Sequence, residues 1–428
     1  MTSFRIALIG FGNIGSGLVR HILEKKELLA ARAGVPIELV WIADKEFDRP
    51  RGVTPPPTAK LTTNWREAAT AANVDAVVEL VGVGPDGKPT LAADIARAAL
   101  AAGKHFITAN KGLIAAHGGE LHELAAKNGA LLLYEASVGA GIPIISSLQT
   151  GLAPDRITAI HGIVNGTCNY ILTQLDADGS LTMQKAIADA QALGYAEPDP
   201  RFDVEGNDTA YKLVILASLA FGLELNVDDV ALDGITRLGP EESAYAKANG
   251  LAVKLLASAT QLPDGSASLI VGPAFIPATH VLAGVRDVFN AVLIDADPIG
   301  QTMYFGRGAG QGSTGSGLLA DAIFAAKLQK AGAPDPQPLR IPRGTRKVAT
   351  PDQAEHRYYL RIRTSDAKLA QQAAAIVGNR KIATEGPSQA FLIDRISQAA
   401  LDKMLGKLVA AGIPSDTICK VRFALHQT

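Results

Sequence analysis

A glycine triplet ten residues into the chain constrains the fold more than any other feature. Gly10-Phe11-Gly12-Asn13-Ile14-Gly15 lies between a short apolar run, Phe4 to Ile9, and a helical stripe of Ile14, Leu18, Val19, Ile22, Leu23 and Leu29. In that setting the first glycine permits a tight turn, the second admits a pyrophosphate close to the backbone, and the third lets helix pack on strand. The helix then offers unpaired N–H groups and partial positive charge to phosphate oxygens. Gly10, Gly12, Asn13, Ile14 and Gly15 are therefore expected to hold a dinucleotide. A glycine turn without a ligand is the plainer alternative.

The pattern downstream agrees. Strand-like runs at Ile37 to Ala43, Val74 to Val81, His105 to Asn110 and Ala130 to Tyr134 alternate with helical stretches at 90–102 and 118–127. Alternation of this kind predicts βαβ units and an α/β, Rossmann-type doubly wound parallel sheet. From about 135 to 302 strands (Arg156 to Val164, Ala267 to Val271, Ala291 to Ile294) mix with helices at 181–194 and 207–221, predicting a second α+β domain. A helix over 313–331 follows a glycine-rich turn, then a proline-rich link from Pro334 to Pro342. The tail predicts strand His356 to Thr364, helix Ala367 to Val377, strands Lys381 to Thr384 and Ala390 to Ile393, helix Gln398 to Ala411 and strand Thr417 to Leu425. That order, βαββαβ, is ferredoxin-like.

Composition removes several classes of function. Lys plus Arg is 41 against 42 for Asp plus Glu, a net charge of −1, so no nucleic-acid partner is expected. Two cysteines, Cys168 and Cys419, make no disulfide framework and no CxxC. The N-terminus runs straight into a strand without a signal-peptide core, and Leu213 to Phe221 is about half a membrane span. A cytoplasmic chain with no membrane partner is expected.

Further candidates sit at strand ends and helix starts. Asp44 ends the second strand, where an acid grips the ribose 2′-OH and favours NAD; Lys45 beside it would instead attract a 2′-phosphate. Thr108-Ala109-Asn110-Lys111 follows a parallel strand, which places Lys111 at the ligand crevice or simply on the surface at a helix start. A proline-stiffened loop from Gly194 through Glu197 leads to Asp208 and Lys212, four apart on one helical face. Burial of that helix lowers a lysine pKa, while Asp208 pulls the other way. An ordinary ion pair with Asp208 as a helix cap is the competing reading. Gly306-Arg307-Gly308-Ala309-Gly310 is either a second cofactor-facing turn or a connector.

Taken in order, Gly10 to Gly15, Thr108 to Lys111, Glu135-Ala136-Ser137-Val138-Gly139-Ala140-Gly141-Ile142-Pro143, Asn165-Gly166-Thr167-Cys168-Asn169-Tyr170 and the Glu197 to Lys212 segment resemble homoserine dehydrogenase. The resemblance covers about 1–330. It implies a dinucleotide-binding domain at 1–134, a catalytic, substrate and dimerisation domain at 135–302, a segment at 303–345 returning to the first domain, and an ACT-like domain at 346–428. It implies Lys212 as proton donor and acceptor, Glu197 and Asp208 as substrate ligands, and Lys111 beside substrate and nicotinamide. Gly194 and Gly310 would touch the NAD or NADP cofactor, together with Asp44 and Thr108. A structural Na+ would be held at Glu135, Val138, Ala140 and Ile142, mostly through backbone oxygens. ACT domains bind effectors at an Asp-x-Pro-Gly-like turn; here the turn is Ser365-Asp366-Ala367-Lys368, so threonine control is not expected. A homodimer or homotetramer is expected.

The implied activity is reversible NAD(P)-dependent hydride transfer between L-homoserine and L-aspartate 4-semialdehyde. The rivals are a dehydrogenase of another amino-acid-like carbonyl and an amino-acid sensor that has lost catalysis. The second would show broken catalytic positions, and Lys111, Glu197, Asp208 and Lys212 are intact.

Overall fold

The computed structural model describes residues 3–82, 84, 87–332, 340–350, 352–378, 380–382 and 388–425. Most of the Pro334 to Pro342 link, and the end of the strand expected at Lys381 to Thr384, lie outside the described residues. Contacts divide the chain into two compact units. The first comprises Met1–Ile157, Val214–Val227 and Asp295–Arg346; the second comprises Thr158–Leu213, Asp228–Ile294 and Lys347–Thr428.

In the first unit six strands form a parallel sheet. They are β1 (Phe4–Ile9), β2 (Ile37–Ala43), β3 (Lys60–Thr62), β4 (Ala76–Glu79), β5 (His105–Thr108) and β6 (Leu132–Leu133), ordered β3-β2-β1-β4-β5-β6. This is the doubly wound order, and its ligand crevice lies at the carboxyl ends of β1 and β4. Helix α1 (Asn13–Glu24) starts at the glycine turn. Its Leu18 and Ile22 join Phe4, Ile6 and Leu8 in one core, which also takes in Leu318, Ala322 and Ala325 of the helix Gln311–Ala331. The residues at 295–346 thus return to the first unit's core. The helix expected at 118–127 begins earlier, at Lys111. Gly112, Gly118 and Gly119 weaken its propensity signal, and the Asn110 side chain starts it by accepting from the Leu113 N–H.

The second unit is built on a mixed sheet. Strand Leu251–Gln261 pairs antiparallel with Ala267–Pro277 along its whole length and with Arg156–Ile163 on its other side. Strand Phe289–Asp297 lies beyond Arg156–Ile163. The tail shows the expected βαββαβ order: Glu355–Arg363, Ala367–Val377, Arg380–Ile382, Ser388–Ser397, Gln398–Ala410 and Ile418–Phe423. Its last strand pairs in parallel with Ala267–Pro277 through Arg422 and Phe423, so tail and catalytic strands share one sheet. This edge of the tail is thus paired within the chain, by strand Ala267–Pro277, and is not open to another subunit. Tyr245, Phe275, Tyr359 and Phe423 seal the junction, with ring centroids 4.8 to 5.6 Å apart.

The elements that carry Tyr245 and Tyr359 also share a buried ion pair. Arg361 Nε meets Glu242 Oε1 at 2.5 Å, with side-chain exposures of 3% and 0%. Glu242 also accepts the Gly239 N–H, and Arg361 donates to the Arg237 carbonyl. Removing one partner leaves the other charge buried and uncompensated, so Glu242→Gln is expected to cost about 3–5 kcal/mol. Chemical denaturation of the two proteins measures it; equal midpoints would show that the pair contributes nothing.

Candidate active site

Each unit brings a separate group of chemistry-bearing residues together. In the first, the chain leaves β1 through Gly10, whose φ is +99°. A Cβ there would lie 2.5 Å from the Leu80 carbonyl oxygen, and one on Gly15 would lie 2.2 Å from that of Gly10. Only glycine satisfies both the dihedral and the approach. A Cβ on Gly12 would meet nothing within 4 Å, so the turn is open where a pyrophosphate would approach. Gly10, Gly12, Asp44, Lys45, Leu80 and Thr90 are among the residues lining a pocket of about 850 Å³. That volume suits a cofactor, and together with the open turn at Gly12 it fits a dinucleotide.

Asp44 is not simply aimed at a ribose. Its Oδ2 accepts the Phe11 N–H at 2.6 Å, and its Oδ1 accepts the Glu46 N–H and Arg51 Nη2 at 2.9 and 3.2 Å. The Arg51 guanidinium also lies over the Phe11 ring. Nothing in the sequence marks Arg51, because the loop between Asp44 and Arg51 has no periodicity. Opposite the glycine turn, Gln311 donates from Nε2 to the Asn13 carbonyl at 2.6 Å. Gly310, with φ +116°, caps that helix and so sits beside the start of α1. Gln311 was invisible for a different reason: nearly 300 residues separate the partners.

The register of β4 and β5 sets Glu79 opposite Thr108. Thr108 donates its hydroxyl to Glu79 Oε2 at 2.6 Å, and the Val81 N–H donates to Oε1 at 2.7 Å. The Asn110 N–H donates in turn to Thr108 Oγ1, and the Asn110 side chain caps the helix whose first residue is Lys111. A buried carboxylate therefore underlies the turn that carries half-buried Lys111. Burial raises the Glu79 carboxyl to about 7, against the opposing pull of these hydrogen bonds. That Asp75 and Glu79 are the only charges of the run Val74 to Val81 was legible; the tie to Thr108 needed the strand register.

The Glu135 segment closes on itself. Glu135 Oε1 and Oε2 accept the Ile145 and Ser146 N–H groups, each at 2.8 Å. Val138, Ala140 and Ile142 are buried apolar residues, and beyond Glu135 this set supplies only backbone oxygens.

In the second unit the cluster is tighter. Asn165 caps the helix Gly166–Ala177 through Oδ1, which accepts the Cys168 N–H at 2.8 Å. Its Nδ2 donates to Asp203 Oδ1 at 2.7 Å and to Asp208 Oδ2 at 2.8 Å. Lys212 Nζ donates to the same Asp208 oxygen and to the Val164 carbonyl, both at 2.7 Å. Side-chain exposure is 12% for Lys212 and 7% for Asp208. Burial and the neighbouring Asp208 push the Asp203 carboxyl up. Asp208 and Lys212 are thus joined as their spacing predicts, with Asn165 and Asp203 as members the spacing did not show. Glu197 stands apart on an exposed loop whose backbone is held by Gln191 donating to the Glu197 and Pro198 carbonyls. Gly194, with φ +73°, is exposed at the start of that loop. Thr167 donates to the Tyr195 carbonyl at 2.6 Å, tying the loop to the helix that Asn165 caps.

Comparison with known proteins gives a consistent picture. A family model described as homoserine dehydrogenase matches residues 143–323, and one for the homoserine dehydrogenase NAD-binding domain matches 10–135. The homoserine dehydrogenase of Pseudomonas aeruginosa is 37% identical over 398 residues, covering 91% of this chain and 88% of its own. That of Neisseria gonorrhoeae is 34% identical over 425 residues, covering 96% and 95%. A solved homoserine dehydrogenase from Thiobacillus denitrificans is similar with a TM-score of 0.85 and 31% identity, over 99% of this chain and 98% of that one. A hyperthermophilic archaeal homoserine dehydrogenase in complex with NADPH has a TM-score of 0.62 at 25% identity, over 76% of this chain and 98% of its own.

Glu79 gives the site a pH signature. Its folded value of about 7 lies above the ordinary 4.5, so the folded state binds the extra proton between them. The carboxyl's contribution to stability is full below about pH 4.5 and is lost as pH rises through 7, a change of about 3 kcal/mol. Glu79→Gln has no such proton to lose. Across that window the wild type should therefore lose stability relative to the variant as pH rises; parallel unfolding free-energy curves would mean that Glu79 titrates normally.

Proposed function

The chain belongs to the homoserine dehydrogenase family, and from that premise we propose how its own residues divide the work of the reaction. The enzyme interconverts L-homoserine and L-aspartate 4-semialdehyde with NAD(P). The nicotinamide, when bound, supplies the hydride chemistry; the protein must hold the substrate and move one proton.

Lys212 handles that proton. The observation that carries this reading is its fixed position: Val164 and Asp208 take two of its hydrogen bonds, and Asn165 holds Asp208 in place. An ammonium has three donors, so one remains for the substrate's C4 oxygen. It donates a proton toward the aldehyde oxygen, and as the amine accepts one from the alcohol. Asp208 and Glu197 offer carboxylates to the substrate ammonium, Asp208 from the buried cluster and Glu197 from the exposed loop. Lys111, on the turn underlain by Glu79, is assigned to substrate and nicotinamide.

The dinucleotide lies on Gly10, Gly12, Asn13, Ile14 and Gly15, with Gly194 and Gly310 as further contacts. Arg51 offsets the Asp44 charge that would repel a 2′-phosphate, which supports use of both NAD and NADP. Glu135 with the backbone oxygens of Val138, Ala140 and Ile142 is an all-oxygen set suited to a hard cation, and we assign it a structural Na+. The strand Gly300–Arg307 exposes Met303 and Phe305 on one face, next to exposed Ile299, which supports self-association as a homodimer. We read the tail as an ACT-type unit without its effector function. Asp366 Oδ1 accepts the Lys368 and Leu369 N–H groups at 2.7 and 3.2 Å, so the donors an effector would need at this turn are already used.

Lys212→Ala is expected to lower kcat by roughly 10²–10⁴-fold, the usual loss with an acid–base group, while the Kd for the cofactor barely changes. Near-normal turnover would transfer the role to Lys111. The cofactor reading has its own test. Arg51→Ala should lower kcat/KM with NADP relative to NAD by about tenfold or more, since a hydrogen bond to a charged group contributes about 1.5–3 kcal/mol. An unmoved ratio would leave the choice to Asp44 and Lys45.

A further inference from the structure

The second unit contains a pocket of about 420 Å³ that plays no part in the reaction described above. It forms where one edge of strand Ala267–Pro277 changes partner. Ile270 and Val271 pair with Ala231 and Leu232, and Ala274 and Phe275 pair with Arg422 and Phe423. Between them, Gly272 and Pro273 have no strand partner on that edge among the described residues. Proline suits such a gap because it has no N–H to leave unpaired.

Two polar groups on the pocket wall are under-used. Arg422 is 7% exposed, and its guanidinium donates to Ser258 Oγ at 2.8 Å. Among the described residues it has no carboxylate partner, although a buried guanidinium is costly without one. His356 Nε2 is buried with no hydrogen-bond partner among the described residues. Burial and the nearby Arg422 charge hold that imidazole neutral above about pH 4. A neutral ring protonated at Nε2 is a donor, so the wall carries two donors, a guanidinium and an imidazole. The remaining charge of the wall limits what they bind. Asp228, Asp229 and Asp402 line the pocket, as does Asp233, which is already matched by Arg237 and Lys420. These carboxylates repel a doubly charged phosphate about twice as strongly as a single carboxylate.

We propose that this pocket binds a small organic monocarboxylate, seated between Arg422 and His356. The site is separate from the Lys212 cluster and from the Ser365 to Lys368 turn, and it does not depend on the catalytic roles assigned above.

Lactate serves as the probe, at constant ionic strength, with inorganic phosphate as the control for charge. The His356 ring signal in the full-length enzyme, assigned by its loss in His356→Gln, is followed by NMR. A saturable shift with lactate, a dissociation constant on the order of 1 mM, and no shift with phosphate are expected. Arg422→Gln should weaken lactate binding at least tenfold. Should that variant not fold, calorimetry on His356→Gln should still show several-fold weaker binding. A His356 signal indifferent to lactate, or one that responds equally to phosphate, overturns the proposal.

Discussion

A lysine carried into the protein interior must find a counter-charge, and much of the second unit is arranged to supply one. Lys212 meets Asp208 one helical turn before it, and neither can move without leaving a buried charge exposed to an apolar surround. Asn165 makes the arrangement rigid because its amide serves both sides. Its oxygen starts the helix Gly166–Ala177, while its nitrogen reaches two carboxylates on later segments. Gly166 follows necessarily: a Cβ there would lie 2.8 Å from the Val288 carbonyl oxygen. One asparagine thus couples the end of a strand, the start of a helix and the charge pair.

The same logic separates what was legible in the sequence from what was not. Features with a local cause were readable. The turn at Gly10 needs a positive φ, the buried helix Asn207–Phe221 is apolar over most of its length, and Asp208 and Lys212 share a face by spacing. Features with a distant cause were not. Strand Leu251–Gln261 escaped because Leu-Ala-Val-Lys-Leu-Leu-Ala-Ser suits a helix as well as a strand. Its Lys254 is only 4% exposed, which no local pattern announces. That lysine donates to the Val285 carbonyl and to Asn169, and burial lowers its pKa to about 8. Glu79 and Gln311 belong to the same class, since each acquires its partner through strand register or chain return. The five motifs behind the family resemblance were legible as residues; the distances that join Asn165 to Asp203 and Asp208 were not.

The tail shows how far local order can mislead about domain structure. Six elements in the order βαββαβ describe a unit that folds around its own core, and the cluster of Leu360, Ile362, Phe391, Leu401 and Leu408 is such a core. Yet its last strand is hydrogen-bonded to Ala267–Pro277, and Arg361 reaches out to Glu242. Sheet continuity, a buried charge and four packed rings all cross what the sequence marked as a boundary. That boundary was drawn at composition and element order, which say nothing about which edge strand finds a partner.

The position of strand Ile418–Phe423 has a consequence for folding. It lies inside the sheet, between Ala267–Pro277 on one side and Glu355–Arg363 on the other. The second unit therefore cannot complete its sheet until this strand has docked. Before then, the edge of Ala267–Pro277 is open at Ala274 and Phe275. Closing it joins residues nearly 150 positions apart in sequence, the kind of non-local pairing that slows folding. A chain in which residues 418–423 cannot form a strand would be held in that open state.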